Sequence, residues 1–364
     1  MVNITKQTVG DKLNIIWAIA SKDIIDGLKI RVIISMIALL SVMLLMPKIL
    51  PYIFEENQQV LPVYNLGDAS SIAEIKDNPG LSIQELHSAE EMRSFLCGAI
   101  YPEIGLIIPA DYEQSGASDD RAEFQGYVCW GKRHQVSGLQ TKLEVLLADS
   151  LGKPVNIHLE GNLLYPPTDG VLYLSLATIN TIVLILTMGI FSVPSLLVEE
   201  KETKTIQALL VSPASIAQVV VGKALAGLFY VLVSAIIIFF ISWVDVLHWD
   251  MVVLFIIGSG IFSVAVGLIL GSLIDRQQDM VGWMTAIILL LVGAILVKAL
   301  GVELPRLVSS ILSWIPSVAL AEIYRSALAE VVSNTRVWTD FGMVLSISLL
   351  LYIVVIFILR RSDR

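Results

Sequence analysis

Long stretches without a charged residue constrain this sequence more than any other feature. Six of them approach the length of about 20 residues that an α-helix needs to cross the hydrocarbon core of a bilayer. They occupy residues 32–47, 170–198, 224–244, 251–274, 280–297 and 341–359. With 55% hydrophobic and 16% charged residues, the chain is also too apolar for an ordinary soluble domain. The sequence therefore predicts an α-helical polytopic membrane protein with six transmembrane helices.

The distribution of Lys and Arg predicts the orientation of these helices. Basic residues concentrate in the leader 1–31, in the connection 199–223 and in the tail 360–364. Because basic connections remain in the cytoplasm, these segments and both termini are expected there. The leader also has apolar residues at helical spacing over residues 13–31, which predicts an amphipathic helix lying at the membrane surface, or alternatively one packed on protein. These residues are Leu13, Ile16, Trp17, Ala20, Ile24 and Leu28.

The polar segment 48–169 is predicted to form a small extracytoplasmic α/β domain inserted between the first two spans. It contains eight Lys and Arg against eighteen Asp and Glu, so it is acidic and does not indicate nucleic-acid binding. Ser88 and Ser137 each begin a sequence typical of a helix capping box, and residues 103–109 and 123–130 have the apolar patterns of strands. Cys97 and Cys129 lie in this domain, where they would form a disulfide or be two small buried apolar residues.

Residues 298–340 are too polar to span a membrane and too apolar to be a simple loop. They are expected to form two short extracytoplasmic helices, broken at Pro316, that enter the membrane without crossing it. Glu322 and Arg325 are three residues apart and could pair on the second of these helices.

The connection after the second span carries the most informative sequence, which reads EEKETKTIQALLVSPASIAQVVVGKALAG over residues 199–227. Acidic residues suit the beginning of a helix, Leu209 and Leu210 give it an apolar patch, and Pro213 ends it. Such a short helix would fit a groove in another protein. A solvated loop that contains a helix explains the same pattern equally well.

This stretch closely resembles the signature of the type-2 ABC transporter permeases, in which charged residues precede a Thr, an apolar pair, a Ser-Pro and a Gly-Lys. The resemblance extends over nearly the whole chain and looks most like the bacterial sodium-extrusion and drug-export permeases. In that family the segment is a coupling helix that contacts the ATPase subunit. The resemblance therefore implies an ATPase-coupling role for Glu199, Glu200, Lys201, Glu202, Thr205, Leu209, Leu210, Ser212, Pro213, Gly222 and Lys223.

The resemblance also implies the partners of the chain. The sequence has no G-x-x-x-x-G-K-[ST] loop, so ATP and Mg are expected to bind a separate ABC ATPase subunit, and this chain is expected to be neither an enzyme nor a holder of a cofactor or metal. Two permease subunits are implied, either identical or related, in the plasma membrane of a bacterium or archaeon. The cargo would be a drug-like or lipid-like amphipathic molecule, or Na⁺, that moves outward.

Polar residues in the second span suggest a path for that cargo. Tyr173, Asn180 and Thr187 recur every seven residues, and Thr181 is adjacent to one of them. Polar groups within a bilayer face protein or water, so these side chains could line a central cleft. They could equally make hydrogen bonds that hold the helices together.

Two other classes of protein remain as alternatives. An intramembrane metalloprotease could use Glu199 and Glu200, but metal sites favour histidine, and all four histidines lie outside the predicted spans. A membrane-anchored receptor with the acidic domain as its binding part would need only one or two spans, which leaves the other helices and the coupling sequence unexplained.

Overall fold

The computed structural model describes residues 9–29, 38, 42, 59–66, 80–98, 103–108, 122–130, 136–159, 161–165, 176–202, 215–242, 246–300 and 305–362, and every structural statement below concerns these residues. The chain begins with helix α1 (Val9–Lys29). The first predicted span, residues 32–47, lies outside the described residues apart from Ala38 and Val42.

The described part of residues 59–165 forms one mixed β-sheet with two helices. Its strands are β1 (Gln59–Asn65), β2 (Leu81–Leu86), β3 (Gly105–Ile108), β4 (Ala122–Cys129), β5 (Val155–His158) and β6 (Leu163–Leu164). The order is β2-β1-β3-β4-β5, with β6 paired to β4. Only the β3–β4 pair is antiparallel among these strands. Helices α2 (Ala89–Gly98) and α3 (Ser137–Leu151) accompany the sheet.

The two faces of β4 have different surroundings. Phe124 and Val128 are buried in the apolar core of the sheet, while Glu123 and Gln125 point to solvent. On the same side of β4 as these polar residues, Tyr127 packs in the smaller apolar cluster with Met92 and Leu96, so this face is also partly covered.

The two predicted capping boxes have different outcomes. The Ser88 hydroxyl accepts a hydrogen bond from the backbone N–H of Glu91, and the Glu91 carboxylate accepts one from the N–H of His87, as a helix cap requires. The prediction at Ser137 is wrong, because Val136 holds the N-cap position without a side-chain cap. Ser137 already lies in the first turn, where the Gln140 side chain donates to the Ile157 carbonyl of β5.

The rest of the chain is helical. It comprises α4 (Leu176–Glu202), α5 (Ile216–Ser242), α6 (Trp249–Leu273), α7 (Gln277–Ala299), α8 (Arg306–Ser313), α9 (Pro316–Leu328) and α10 (Asn334–Ser362). Within the described residues, α4, α5, α6, α7 and α10 are long and apolar enough to cross a membrane. The bent pair of α8 and α9 would make a sixth candidate if it counted as one broken span. The chain is therefore a polytopic helical membrane protein.

Helix α5 begins earlier than the charge-free run from which it was predicted. The run starts at residue 224, whereas the helix starts at Ile216, so Gly222 and Lys223 lie within α5 and not in the connection before it. The predicted span was begun after Lys223 because a charged residue normally lies outside a membrane span. In the folded protein the charge of Lys223 is compensated by the carboxylates of Asp23 and Glu200, so the helix includes it.

Helices α4 and α6 approach each other so closely that small residues are required between them. A Cβ atom at Gly267 would lie 2.9 Å from the Gly189 carbonyl oxygen and 3.1 Å from Pro194 Cδ. A Cβ at Gly271 would lie 3.0 Å from Pro194 Cα. Glycines four residues apart on one helix face are a common way to bring membrane helices into backbone contact. We call this contact of Gly189 and Pro194 with Gly267 and Gly271 the α4–α6 seam.

Helices α8 and α9 meet at an angle of 75° around Pro316. Proline at the first position of α9 is compatible with a new helix but not with continuation of the previous one. Helix α9 is largely buried in the bundle, and the Ser317 hydroxyl donates to the Leu291 carbonyl of α7. None of the residues of α8 is buried, and Leu307 and Ile311 are exposed.

Candidate functional site

The end of α4 carries a buried carboxylate between two lysines. Glu200 Oε2 lies 2.7 Å from Lys223 Nζ of α5, and Glu200 Oε1 accepts a hydrogen bond of 2.9 Å from Lys22 Nζ of α1. Lys223 Nζ also donates to Asp23 Oδ2 of α1 at 3.0 Å. The four charges balance, and the Lys223 side chain is only 1% exposed. Removing one partner of a buried ion pair leaves an uncompensated charge, so this cluster holds α1, α4 and α5 together.

The burial of Asp23 changes its titration. Burial raises the pKa of Asp23, although the ammonium group of Lys223 opposes this shift. The folded protein therefore binds a proton at Asp23 more readily than the unfolded chain does. The resulting contribution to stability is present at low pH and is lost as the pH rises through the folded-state pKa.

Lys22 titrates in the opposite sense to a simply buried lysine. Burial alone would lower the pKa of Lys22, but the hydrogen bond to Glu200 and the charge of that carboxylate raise it. The contribution of Lys22 to stability is therefore present throughout the neutral range and is lost as the pH rises through its raised pKa.

The next residue, Lys201, binds the end of α6. Its Nζ donates hydrogen bonds of 2.9 Å to the carbonyl oxygens of Ser272 and Ile274 and to Asp275 Oδ1. The last carbonyl groups of a helix lack partners within that helix and carry partial negative charge, so a cation there is stabilising.

Glu202 binds the beginning of α7. Its Oε1 accepts a hydrogen bond of 3.1 Å from the backbone N–H of Gln277. Among the described residues, the N-cap of α7, Arg276, supplies no side-chain cap. Glu202 therefore provides from α4 a carboxylate of the kind that a helix N-terminus favours. We call the three residues Glu200, Lys201 and Glu202 the junction, because each of them joins the end of α4 to a different helix.

Gly222 explains how α1 comes close enough to reach the junction. A Cβ at this position would lie 2.8 Å from Ile19 Cβ and 3.2 Å from the Ile16 carbonyl oxygen. The two helices thus cross in near-backbone contact. Eight residues further along α5, the Tyr230 hydroxyl donates to the Ile24 carbonyl at 2.6 Å.

The remaining residues of the predicted coupling segment are only partly described. Glu199 is exposed at the end of α4. The apolar pair and the residues that were expected to end the coupling helix lie outside the described residues. These are Thr205, Leu209, Leu210, Ser212 and Pro213.

The predicted cargo-path residues separate onto two sides of α4. This helix is almost entirely enclosed, but Asn180 and Thr187 are partly exposed and share one face with Val183 and Phe191. Thr181 is buried on another side, next to the hydroxyl of Tyr324 of α9. Tyr173 lies outside the described residues.

A second charged cluster lies at the opposite ends of the helices. Arg325 donates to Glu322 Oε2 through Nε at 3.0 Å and through a terminal nitrogen at 2.7 Å. Lys298 of α7 and Arg336 of α10 lie 3.2 and 3.4 Å from Glu322 Oε1. The spacing of Glu322 and Arg325 revealed their pair in the sequence, whereas nothing local to Lys298 or Arg336 pointed to Glu322.

In the sheet, Cys97 and Cys129 form a disulfide with a Cα–Cα distance of 5.1 Å. It joins α2 to the end of β4, beside the pairing of β4 with β6. Arg93 of α2 donates to the carbonyl of Tyr165, just after β6. The disulfide thus stabilises the part of the sheet from which the chain continues toward α4.

The fold and the junction now define the class of protein. The helical bundle is that of a multi-pass membrane protein, and a short charged segment at the end of one long helix contacts α1 and three other long helices. The chain belongs to the ABC-2 family transporter proteins, whose family model matches residues 30–359. It is thus a transmembrane component of an ABC transporter, which confirms the resemblance seen in the sequence at the level of the family. No curated protein matches the chain.

Proposed function

We propose that this chain is the permease subunit of an ABC exporter, driven by ATP that a separate ABC ATPase subunit binds with Mg and hydrolyses. The observation that carries the proposal is the junction. A segment that receives force from a partner has to begin on a firmly held helix end, and the end of α4 is bonded to α1, α5, α6 and α7.

The proposed docking site is the segment 199–213, with Leu209 and Leu210 as its apolar contact. The basic residues of the leader and of this connection favour a cytoplasmic position, which is where ATP is available. In this orientation the sheet of residues 59–165 and its disulfide face an oxidising compartment. Both termini would then be cytoplasmic, in the plasma membrane of a bacterium or archaeon.

For the cargo we propose an amphipathic drug-like or lipid-like molecule, with Na⁺ as the second candidate. Outward movement follows the likeness to export permeases. The partly exposed face of α4 supports the first candidate, because Asn180 and Thr187 offer neutral polar groups beside the apolar Val183 and Phe191. A second permease copy or a related permease would complete this face. Nothing in the family or the fold favours the receptor alternative.

Purification of the chain in mild detergent at native expression level tests the proposal. We expect an ATPase subunit with Walker motifs to co-purify and to hydrolyse ATP. The double variant Leu209→Asp, Leu210→Asp should release this subunit while the permease remains in the membrane. The matched control is Leu66→Asp, Val145→Asp, because both residues are exposed and apolar but lie away from the segment, just after β1 and in α3.

Two outcomes would count against the proposal. If no ATPase subunit accompanies the wild-type chain in several detergents, the exporter function is wrong. If the ATPase co-purifies equally with the wild type and with the Leu209, Leu210 double variant, the function stands but the docking segment is misplaced.

A further inference from the structure

We propose that the junction residues Glu200 and Glu202 are positioning residues that transmit movement of the docking segment to two separate helices: Glu200 to α1 and Glu202 to α7. This inference rests on the proposed function, since the movement would come from the partner ATPase. It goes further by naming the helix to which each carboxylate transmits the movement.

The first route runs from α4 to α1. Glu200 Oε1 accepts the hydrogen bond from Lys22 at 2.9 Å, and its Oε2 lies 2.7 Å from Lys223, which in turn binds Asp23 at 3.0 Å. Both connections from Glu200 therefore end on adjacent residues of α1. Because Lys223 and Asp23 are enclosed, water cannot replace the connection that they make when α4 moves, and α1 has to follow.

The route reaches a helix whose other face is free of the bundle. Leu13, Trp17 and Leu28 of α1 are at least half exposed. A helix with an exposed apolar face of this kind lies in the membrane interface, so a shift of α1 changes its depth or angle relative to the headgroups. The leader is then a moving part of the transporter as well as an attachment to the membrane.

The second route runs from α4 to α7. Glu202 binds the backbone N–H of Gln277, which is the first residue of α7. The contact is to the main chain, so it acts on the helix end itself and not on a flexible side chain. Lys201 meanwhile holds Ile274 and Asp275, so the short turn between α6 and α7 is bound on both sides by consecutive residues of α4.

The direct packing of the helices does not make these routes redundant. Helix α6 is bound to α4 by the seam along much of its length. Helix α7 is the less enclosed neighbour, with 28% of its most apolar window buried against 83% for α4. Helix α1 lies mainly against α5. The two helices that the carboxylates reach are therefore those that lack such a seam.

Hydrogen–deuterium exchange on the purified permease–ATPase complex tests the inference, with and without ATP, Mg and vanadate. In the wild type we expect vanadate trapping to change deuterium uptake in residues 11–28 of α1 and in residues 275–285 at the start of α7. Glu200→Gln should abolish the change in α1 and retain it in α7. Glu202→Ala, which removes the acceptor of the Gln277 N–H, should do the reverse.

The matched control is Glu330→Gln, which removes one exposed carboxylate outside the junction and should leave both changes as in the wild type. If Glu200→Gln fails to fold, the double variant Lys22→Gln, Asp23→Asn removes both connections at their α1 ends, leaves Glu200 paired with Lys223, and should likewise abolish only the change in α1. A purely structural role would lower the melting temperature and alter both peptides together, whereas transmission alters them separately.

The outcomes distinguish this inference from the proposed function. Absence of an ATPase from the wild-type preparation overturns the function itself. With the ATPase bound, wild-type-like changes in both peptides of Glu200→Gln and Glu202→Ala overturn the inference alone. Loss of the ATPase from either variant also overturns it, because the junction would then be part of the docking surface.

Discussion

Lys223 is enclosed almost completely, although lysine is rarely buried without a partner. Its ammonium group lies between the carboxylates of Glu200 and Asp23, which come from α4 and α1. The gain from such a cluster over an apolar core is small, but the loss when one member is removed is large. The cluster thus makes the relative position of these three helices specific.

Replacing Lys223 with Met tests this role. The variant leaves two buried carboxylates with only Lys22 to neutralise them, so we expect a loss of about 3–5 kcal/mol in the free energy of unfolding. Thermal unfolding in detergent measures it. Adding Asp23→Asn should recover part of the loss, because Lys22 still pairs with Glu200 and Asp23 is the carboxylate left without a cation. Lys12→Met, on the exposed side of α1, is the control and should change little; equal melting of the two lysine variants would contradict the prediction.

The disulfide gives a second prediction at the scale of residues. Cys97 and Cys129 are the only cysteines in the sequence, so labelling with a maleimide has no background. The native protein should remain unlabelled, and reduction in denaturant should expose two thiols. Ready labelling of the native protein would mean that the bond is absent. Cys97→Ser with Cys129→Ser should lower the free energy of unfolding of the sheet by about 3–4 kcal/mol in the chain-entropy model.

At the scale of elements, α1 shows what a sequence pattern can predict about a helix and what it cannot. Helical spacing predicted the helix and its apolar stripe, and Leu13, Trp17 and Leu28 are indeed on an exposed side. Ala20 was assigned to the same stripe but is buried against the bundle. Hydropathy alone could not separate the two sides, because a small residue that admits a neighbouring helix looks the same as one that faces lipid.

The crossing of α1 with α5 predicts a difference between two glycines. Gly222→Ala places a methyl group 2.8 Å from Ile19 Cβ, so it should displace α1 and increase its cleavage by trypsin at the lysines of the leader. Gly282→Ala in α7 is the control, because a Cβ there meets no described atom within 4 Å and alanine favours the helix. Limited proteolysis of both variants in detergent makes the comparison. Equal cleavage would show that the helices are not in contact at this position.

At the scale of the whole molecule, charged clusters hold both ends of the helical bundle. The junction joins α1, α4, α5, α6 and α7 at one end, and Glu322 joins α7, α9 and α10 at the other. Between these ends the described helices are bound mainly by apolar packing. Helix α7 takes part in both clusters, so a shift at its first residue is passed to the cluster around Glu322.

The cluster around Glu322 predicts an order of effects. Glu322→Gln leaves three cations close together in a largely buried place, so we expect a loss of about 3–5 kcal/mol in the free energy of unfolding. Arg336→Gln removes a side chain that is 48% exposed and should cost only about 0–1 kcal/mol. Thermal unfolding of both variants measures the order, and the reverse order would show that Glu322 is not the centre of the cluster.

The sequence alone revealed less of the site than of the fold. Charge-free runs predicted the five long helices because burial in lipid requires an apolar composition over a whole helix. The junction bonds residues that are far apart in the chain: Lys201 and Asp275 are 74 positions apart, and Lys22 and Glu200 are 178 positions apart. A pattern within one short stretch of sequence cannot indicate a contact between residues so far apart. The family signature predicted a coupling role for Glu200, Lys201, Glu202 and Lys223, which stays a prediction, and it gave no indication of the helices that these residues bind.

The α4–α6 seam also determines where an apolar molecule can enter the bundle from the side. Backbone atoms of the two helices are in near contact at Gly267 and Gly271, so no gap wide enough for a hydrocarbon chain exists along it. Lateral access from the lipid is therefore closed on this side of α4. On another face of that helix the side chains of Asn180 and Thr187 are partly exposed, and this is the face that we propose for the cargo.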